Sequence, residues 1–155
     1  MTSSPHPEPA PAPAPADGRW VILRHELPDG SHHFDLLLQP PGSIPDAPLR
    51  SWRCPHAPQP AGEGREQIVE AMPDHRAAYL THEGPVTAGR GAVRRVAAGV
   101  IRAWDEAEGC VDAVLSPQSG DVWRISLRRG DQGWRLVCSP GGIGGKTVGG
   151  GGSGW

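Results

Sequence analysis

The chain of 155 residues has almost no lysine: Lys146 stands alone, and arginine supplies the rest of the basic charge. That bias reflects either coding composition or a preference for bidentate phosphate contacts. The formal net charge is −2 and the pI about 6.4, which argues against a protein that coats nucleic acid while leaving room for a small local phosphate site. Cysteine is scarce as well. Cys54, Cys110 and Cys138 are odd in number, far apart and without a CxxC pair, so they offer no zinc framework and read as free thiols in a reducing compartment. No apolar run of about 20 residues occurs, and no charged segment leads into an apolar one at the start. The expectation is a soluble cytoplasmic protein without membrane attachment. Also missing are a P-loop, a nucleophile elbow and a dinucleotide-binding glycine pattern, which leaves Walker-type hydrolysis and serine esterase chemistry unsupported.

Both ends lack the means to join a core. Residues 1–17 read MTSSPHPEPAPAPAPAD, and proline at this density fixes φ and removes donors, predicting an extended arm. Residues 139–155, SPGGIGGKTVGGGGSGW, are glycine-dominated and predict a flexible tail. Residues 18–138 then form one domain of ordinary size.

Within that domain the signals are those of an all-β fold with short helical segments. The segment from Gly18 to Leu23 reads as a strand, LPDGS at 27–31 as a turn, and HHFDLLLQ at 32–39 as a second strand, so the region forms a hairpin. Residues 47–55 and 65–73 supply further short strands, the second of which is alternatively a turn of helix. AAYL at 77–80 has helical propensity but is stopped by Gly84-Pro85. The stretch 91–104 suggests two strands pivoting about Ala97-Ala98-Gly99, and 121–138 reads as two alternating strands joined by Arg-Gly-Asp-Gln-Gly. Many short strands at turn-marked intervals fit a sandwich or a small barrel.

Strand alternation gives the first chemical clue. His33, Asp35 and Leu37 share one face of their strand, and Phe34, Leu36 and Leu38 share the other, which can be core. His25 lies across the turn. Two imidazoles and a carboxylate are good ligands for Mn, Fe, Co, Ni or Zn, and they leave coordination positions open for water or substrate. The competing account is that these are solvated histidines beside a turn. His32 falls on the opposite face from Asp35 and is set aside. His75 could contact a phosphate or act as a general acid, or simply follow an N-cap-like Asp74 at the surface. His56 and His82 carry weaker signals. Arg90, Arg94, Arg95 and Arg102 could receive a phosphodiester backbone, and a solvated strand face accounts for them equally well.

Taken in order, RWVILRH, HFDLLL, LRSWRCP, PDHRAAYLTHEGPV and GRGAVRRV resemble the motif series of the 3′-phosphoesterase domain of bacterial ATP-dependent DNA ligase D, over roughly Arg19 to Val137. That resemblance implies a small closed or partly open β-barrel and a Mn-dependent activity on DNA or RNA–DNA 3′ ends. Such domains remove a terminal ribonucleoside and then the remaining 3′ phosphate, working with a polymerase and a ligase in end joining. Matched motif by motif, His25, His33 and Asp35 fall on the metal ligands, His75 on the histidine that contacts the scissile phosphate, and Tyr79 on a nearby tyrosine. Ser51 lies in the matching Ser-Trp strand. Zn, Co or Ni would suit the same ligands. Three departures stand out. Leu37 replaces the family's arginine two residues after the metal aspartate, His56 stands where a lysine is expected, and the turn between His25 and His33 is about two residues longer. A rival function is therefore a non-catalytic module that binds DNA ends or a repair partner.

Overall fold

The computed structural model describes residues 17–86 and 89–141. The expected N-terminal arm, apart from Asp17, lies outside the described residues, as does the expected tail from residue 142 onward. The strands are β1 (Gly18–Glu26), β2 (His32–Gln39), β3 (Leu49–Cys54), β4 (Glu66–His75), β5 (Gly84–Pro85), β6 (Ala92–Ala107), β7 (Cys110–Pro117), β8 (Trp123–Gly130) and β9 (Gly133–Pro140). Every pairing is antiparallel. The order β1-β2-β3-β4-β9-β8-β7-β6 closes through β6 back onto β1, and the two-residue β5 flanks β6. This is an eight-stranded closed barrel with one extra strand. Its helical content is two 3-10 turns, Gly62–Arg65 and Ala77–Leu80. Among the described residues no helix is long and apolar enough to cross a membrane.

The first hairpin forms as its sequence dictates. Asp29 Oδ1 accepts hydrogen bonds from the Ser31 backbone N–H and hydroxyl at 2.8 and 2.6 Å. Gly30 takes φ 91°, which an L side chain resists. Register then follows: Glu26 faces His32, His25 faces His33 and Leu23 faces Asp35. The region 91–104 differs from its expectation. It lies within one continuous strand, β6, that pairs with β1 over its first part and with β7 over its second. Register shifts at Ile22/Leu23 and at Ile101/Ala103 let it bend rather than break. Gly99 sits at the exchange of partners, where a Cβ would lie 1.9 Å from the Ser116 carbonyl oxygen. The pivot residues are real, but they redirect a strand instead of ending one. β7 was not anticipated from sequence at all.

All eight barrel strands contribute to one interior cluster that includes Trp20, Ile22, Leu36, Trp52, Ile125 and Leu136, each essentially inaccessible. Burying an aliphatic side chain of this size stabilises by roughly 1.5–3 kcal/mol. Trp20 packs edge-to-face on Trp123 with centroids 5.5 Å apart, and its indole N–H donates to the Val100 carbonyl at 3.1 Å. The cysteines are free thiols: Cys54 and Cys138 are buried and Cys110 is half-buried. Burial pushes the Cys54 thiol far up and that of Cys138 to about 12, so neither is a reactive nucleophile.

A second, smaller apolar cluster covers the outer face of the first hairpin. Val21, Leu23, Leu37, Leu49, Leu80 and Val93 meet there, with Tyr79 and Val86 packed against them. Strands 1 and 2 are thus buried on both faces over most of their length. The 3-10 turn at Ala77–Leu80 is the roof, and the polar residues that continue the same outer face emerge at its edge.

Candidate metal centre

His25, His33 and Asp35 occupy that edge. His25 is half-buried; His33 and Asp35 are 8% and 5% exposed. His25 Nδ1 lies 3.6 Å from Asp35 Oδ2, and His33 Nε2 lies 3.2 Å from Asp35 Oδ1. The two imidazole rings meet edge-on, with centroids 4.8 Å apart. One potential ligand atom from each residue falls within 4.8 Å of the others, the only such group among the described residues. Donors about 2.1 Å from a shared cation sit roughly 3–3.5 Å from one another. The carboxylate-to-imidazole separations of 3.2 and 3.6 Å come close to that spacing, and no pair in the group exceeds 4.8 Å. The donor set fits a divalent cation.

Hydrogen bonding sets the histidine tautomer. His25 Nε2 lies 2.7 Å from the Arg90 carbonyl oxygen, which can only accept, so Nε2–H donates and Nδ1 keeps the lone pair that faces Asp35. The carbonyl is brought there by the loop before β6. Gly91 in that loop has φ 94°, and a Cβ on it would lie 1.9 Å from the Glu26 carbonyl oxygen. Burial holds the His33 imidazole below its ordinary pKa, partly opposed by the Asp35 carboxylate and reinforced by Arg53 and His25. Neutral imidazole is the ligating form, so this shift favours metal over proton.

These three residues lie in the wall of a cleft of about 770 Å³ that Arg53, His75 and Tyr79 also line. His75, the last residue of β4, is half-buried, and its Nδ1 donates to the Pro73 carbonyl at 3.2 Å. Tyr79 packs edge-on between His75 and His82, with centroids 5.6 and 5.5 Å away. His82 is held by its Nε2 to the Pro85 carbonyl at 3.0 Å. Five of the seven expected site residues therefore share one cavity.

The other two do not line it. Ser51 is buried on β3 opposite Leu37, and its hydroxyl has no hydrogen-bond partner among the described residues. His56 lies beyond β3, where its backbone exchanges two hydrogen bonds with the Gln67 side chain and its ring faces Glu63 at 3.5 Å. His32 is exposed and packs on Phe34, away from the cluster. Of the arginines, Arg53, Arg76 and Arg90 line the cleft, whereas Arg94, Arg95 and Arg102 do not. Leu37 is completely buried in the second apolar cluster. Sequence reading leaves Arg53 level with Arg94 and Arg95 as a stand-in for the arginine that Leu37 replaces, and the β2–β3 register sets Arg53 directly across from Asp35. No protein-family model matches the chain, and no curated protein matches it.

Proposed function

We propose that this chain is a divalent-metal-dependent phosphoesterase acting in the cytoplasm on 3′ ends of DNA, removing a 3′ phosphate or a terminal ribonucleotide during repair and end joining. The reading takes its substrate from the resemblance to ligase D phosphoesterase domains. The observation that carries it is the convergence of His25, His33 and Asp35 within 4.8 Å, in one cleft with His75 and Tyr79. Manganese is the cation the resemblance implies, and two imidazoles with one carboxylate also accept Zn, Co or Ni. A separate ligase or polymerase would complete the repair of the healed end.

A cation held by this donor set supplies Lewis acidity, polarising a phosphoryl oxygen and lowering the pKa of a water. The chain's own residues do the rest. Arg90 fixes His25 so that Nδ1 is presented, and Asp35 provides the anionic oxygens. Hydrolysis forms a bond from a water oxygen to phosphorus as the bond to the 3′ oxygen breaks, and that oxygen takes a proton. His75, with Nδ1–H tied to a carbonyl, acts in its imidazolium form, whose Nε2–H donates that proton or binds a phosphoryl oxygen. Tyr79 keeps the His75 ring from turning away.

A second reading, a DNA-end-binding module without turnover, is favoured by the burial of Leu37. The resembling domains carry an arginine there; in this chain the position is roofed over, and leucine contributes nothing to phosphate binding. The test is incubation of purified chain with Mn on a primer-template bearing a 3′ phosphate. Release of phosphate that His33→Ala abolishes is the expected result. Retained binding to 3′-phosphate ends without turnover, across several divalent metals, would select the binding module. Neither turnover nor binding would overturn both.

A further inference from the structure

Resting on the phosphoesterase reading, we infer that Arg53 is the phosphate-binding residue of this cleft, taking from β3 the part that Leu37 cannot take on β2. Four observations converge on it. Arg53 and Asp35 are directly opposed in the β2–β3 register, so their side chains leave the sheet on the same face with Cβ atoms about 4.5–5.5 Å apart. Asp35 makes no salt bridge to the guanidinium among the described residues; its two oxygens face imidazole nitrogens, at 3.6 and 3.2 Å. Glu70 stands opposite Arg53 on the β4 side, yet no salt bridge joins the two among the described residues. The side chain is exposed, lines the metal cleft, and lines as well a neighbouring groove of about 460 Å³ that runs past Pro55 and Ile68 toward Gln132.

His33 and Arg53 are the residues common to both cavities. A phosphate held at the cluster therefore meets Arg53 at the point where the attached nucleotide can turn into the groove. The planar fork suits two phosphoryl oxygens at once. The other cations are less well placed. Arg94 faces Arg24 in the β1–β6 register and lies off the cleft, and the Arg95 backbone N–H is bonded to Glu83 at 2.8 Å. Arg76 and Arg90 line the cleft as well, but of the three Arg53 alone also lines the neighbouring groove.

The test compares binding of the full chain to primer-templates ending in 3′ phosphate and 3′ hydroxyl, by fluorescence anisotropy in EDTA so that no turnover occurs. Wild type is expected to favour the phosphate end by roughly 10- to 100-fold, the worth of a charge-assisted contact. Arg53→Gln should reduce the preference to near unity, Arg53→Lys should keep part of it, and Arg94→Gln should keep all of it. A metal-induced thermal shift that survives in Arg53→Gln would place the defect in phosphate binding. If Arg53→Gln keeps the wild-type preference, or loses the metal-induced shift, the assignment is overturned while the phosphoesterase reading stands. If wild type shows no preference for the phosphate end, the assignment is likewise overturned, whereas the phosphoesterase reading falls only if phosphate release with Mn also fails.

Discussion

Replacing Asp35 by asparagine removes one charge from the candidate metal centre while leaving its shape almost unchanged. Asp35 is 5% exposed and touches both histidines, so the amide can still pack on β2, but it brings a neutral oxygen where a cation needs an anionic one. At a free metal concentration about 100 times Kd, ligation stabilises the native state by about 2.7 kcal/mol. For a domain of this size that corresponds to a rise in Tm of roughly 8–14 °C. Even outer partners of metal ligands alter affinity about 10- to 100-fold, so losing the anionic ligand itself should cost about 100-fold or more. At the same metal concentration the stabilisation then drops to about 0.4 kcal/mol, a shift of ~1–2 °C. Differential scanning fluorimetry of both proteins, with Mn or Zn titrated against an EDTA baseline, measures the contrast. Equal shifts in wild type and Asp35→Asn would refute the ligand assignment, and so would the absence of any shift in wild type up to millimolar metal.

Three further outcomes follow from the packing around the site. Leu37→Arg, which installs the residue the resembling family carries, should not create a better enzyme. It drives a guanidinium among Val21, Leu23, Leu49, Leu80 and Val93 and should lower stability by about 3–5 kcal/mol, read from the urea midpoint; an unchanged midpoint contradicts the burial argument. Gly91→Ala forces a side chain onto φ 94° and against the Glu26 carbonyl, so about 2–4 kcal/mol of stability should be lost, together with most of the metal-induced thermal shift, since the Arg90 carbonyl would be displaced from His25. The third outcome concerns pH. His33 has its pKa lowered in the folded state by burial, so the unfolded chain takes up this proton at a higher pH than the native one. Stability is therefore full above about pH 6.5 and declines as pH falls through the ordinary histidine range toward the lower folded value. A His33→Gln variant should show a flatter profile of Tm against pH over that interval, and an identical profile would remove His33 as the cause.

How far the sequence revealed this depended on the range of the interaction involved. The first hairpin was legible because its determinants are local: Asp29-Gly30 makes the turn, and alternation carries His33 and Asp35 to one face. Alternation also suggested that this face would be polar. Leu37 and Leu23 show otherwise, since a 3-10 turn more than forty residues on, with Leu80 at its end, covers them. Nothing local to β2 announces a roof supplied from so far along the chain. The pivot at Gly99 was visible as a composition change, but whether a strand ends or exchanges partners depends on the neighbours it finds, here β1 and β7. β7 itself, CVDAVLSP, was missed although Gly109 precedes it, Pro117 ends it and Gly120 follows. His56 and Ser51 entered through motif position alone, and the cleft is lined without them. The placing of Arg53 across from Asp35 depends on cross-strand register, and that of the Arg90 carbonyl on a loop far along the chain, neither of which single-strand periodicity contains.

The junction of β1 with β6 has a kinetic meaning. Gly18 pairs with Ile101 across the whole run of strands between them, so ring closure is the contact of longest loop and comes at the highest entropic cost. The hairpin can present three ligands before that event, but His25 is oriented only afterwards, when the segment leading into β6 delivers the Arg90 carbonyl. Ion affinity and ring closure are then linked equilibria, and linkage is reciprocal. A bound cation should act as a latch on the seam, slowing the opening of the ring, and an opened ring should release its cation.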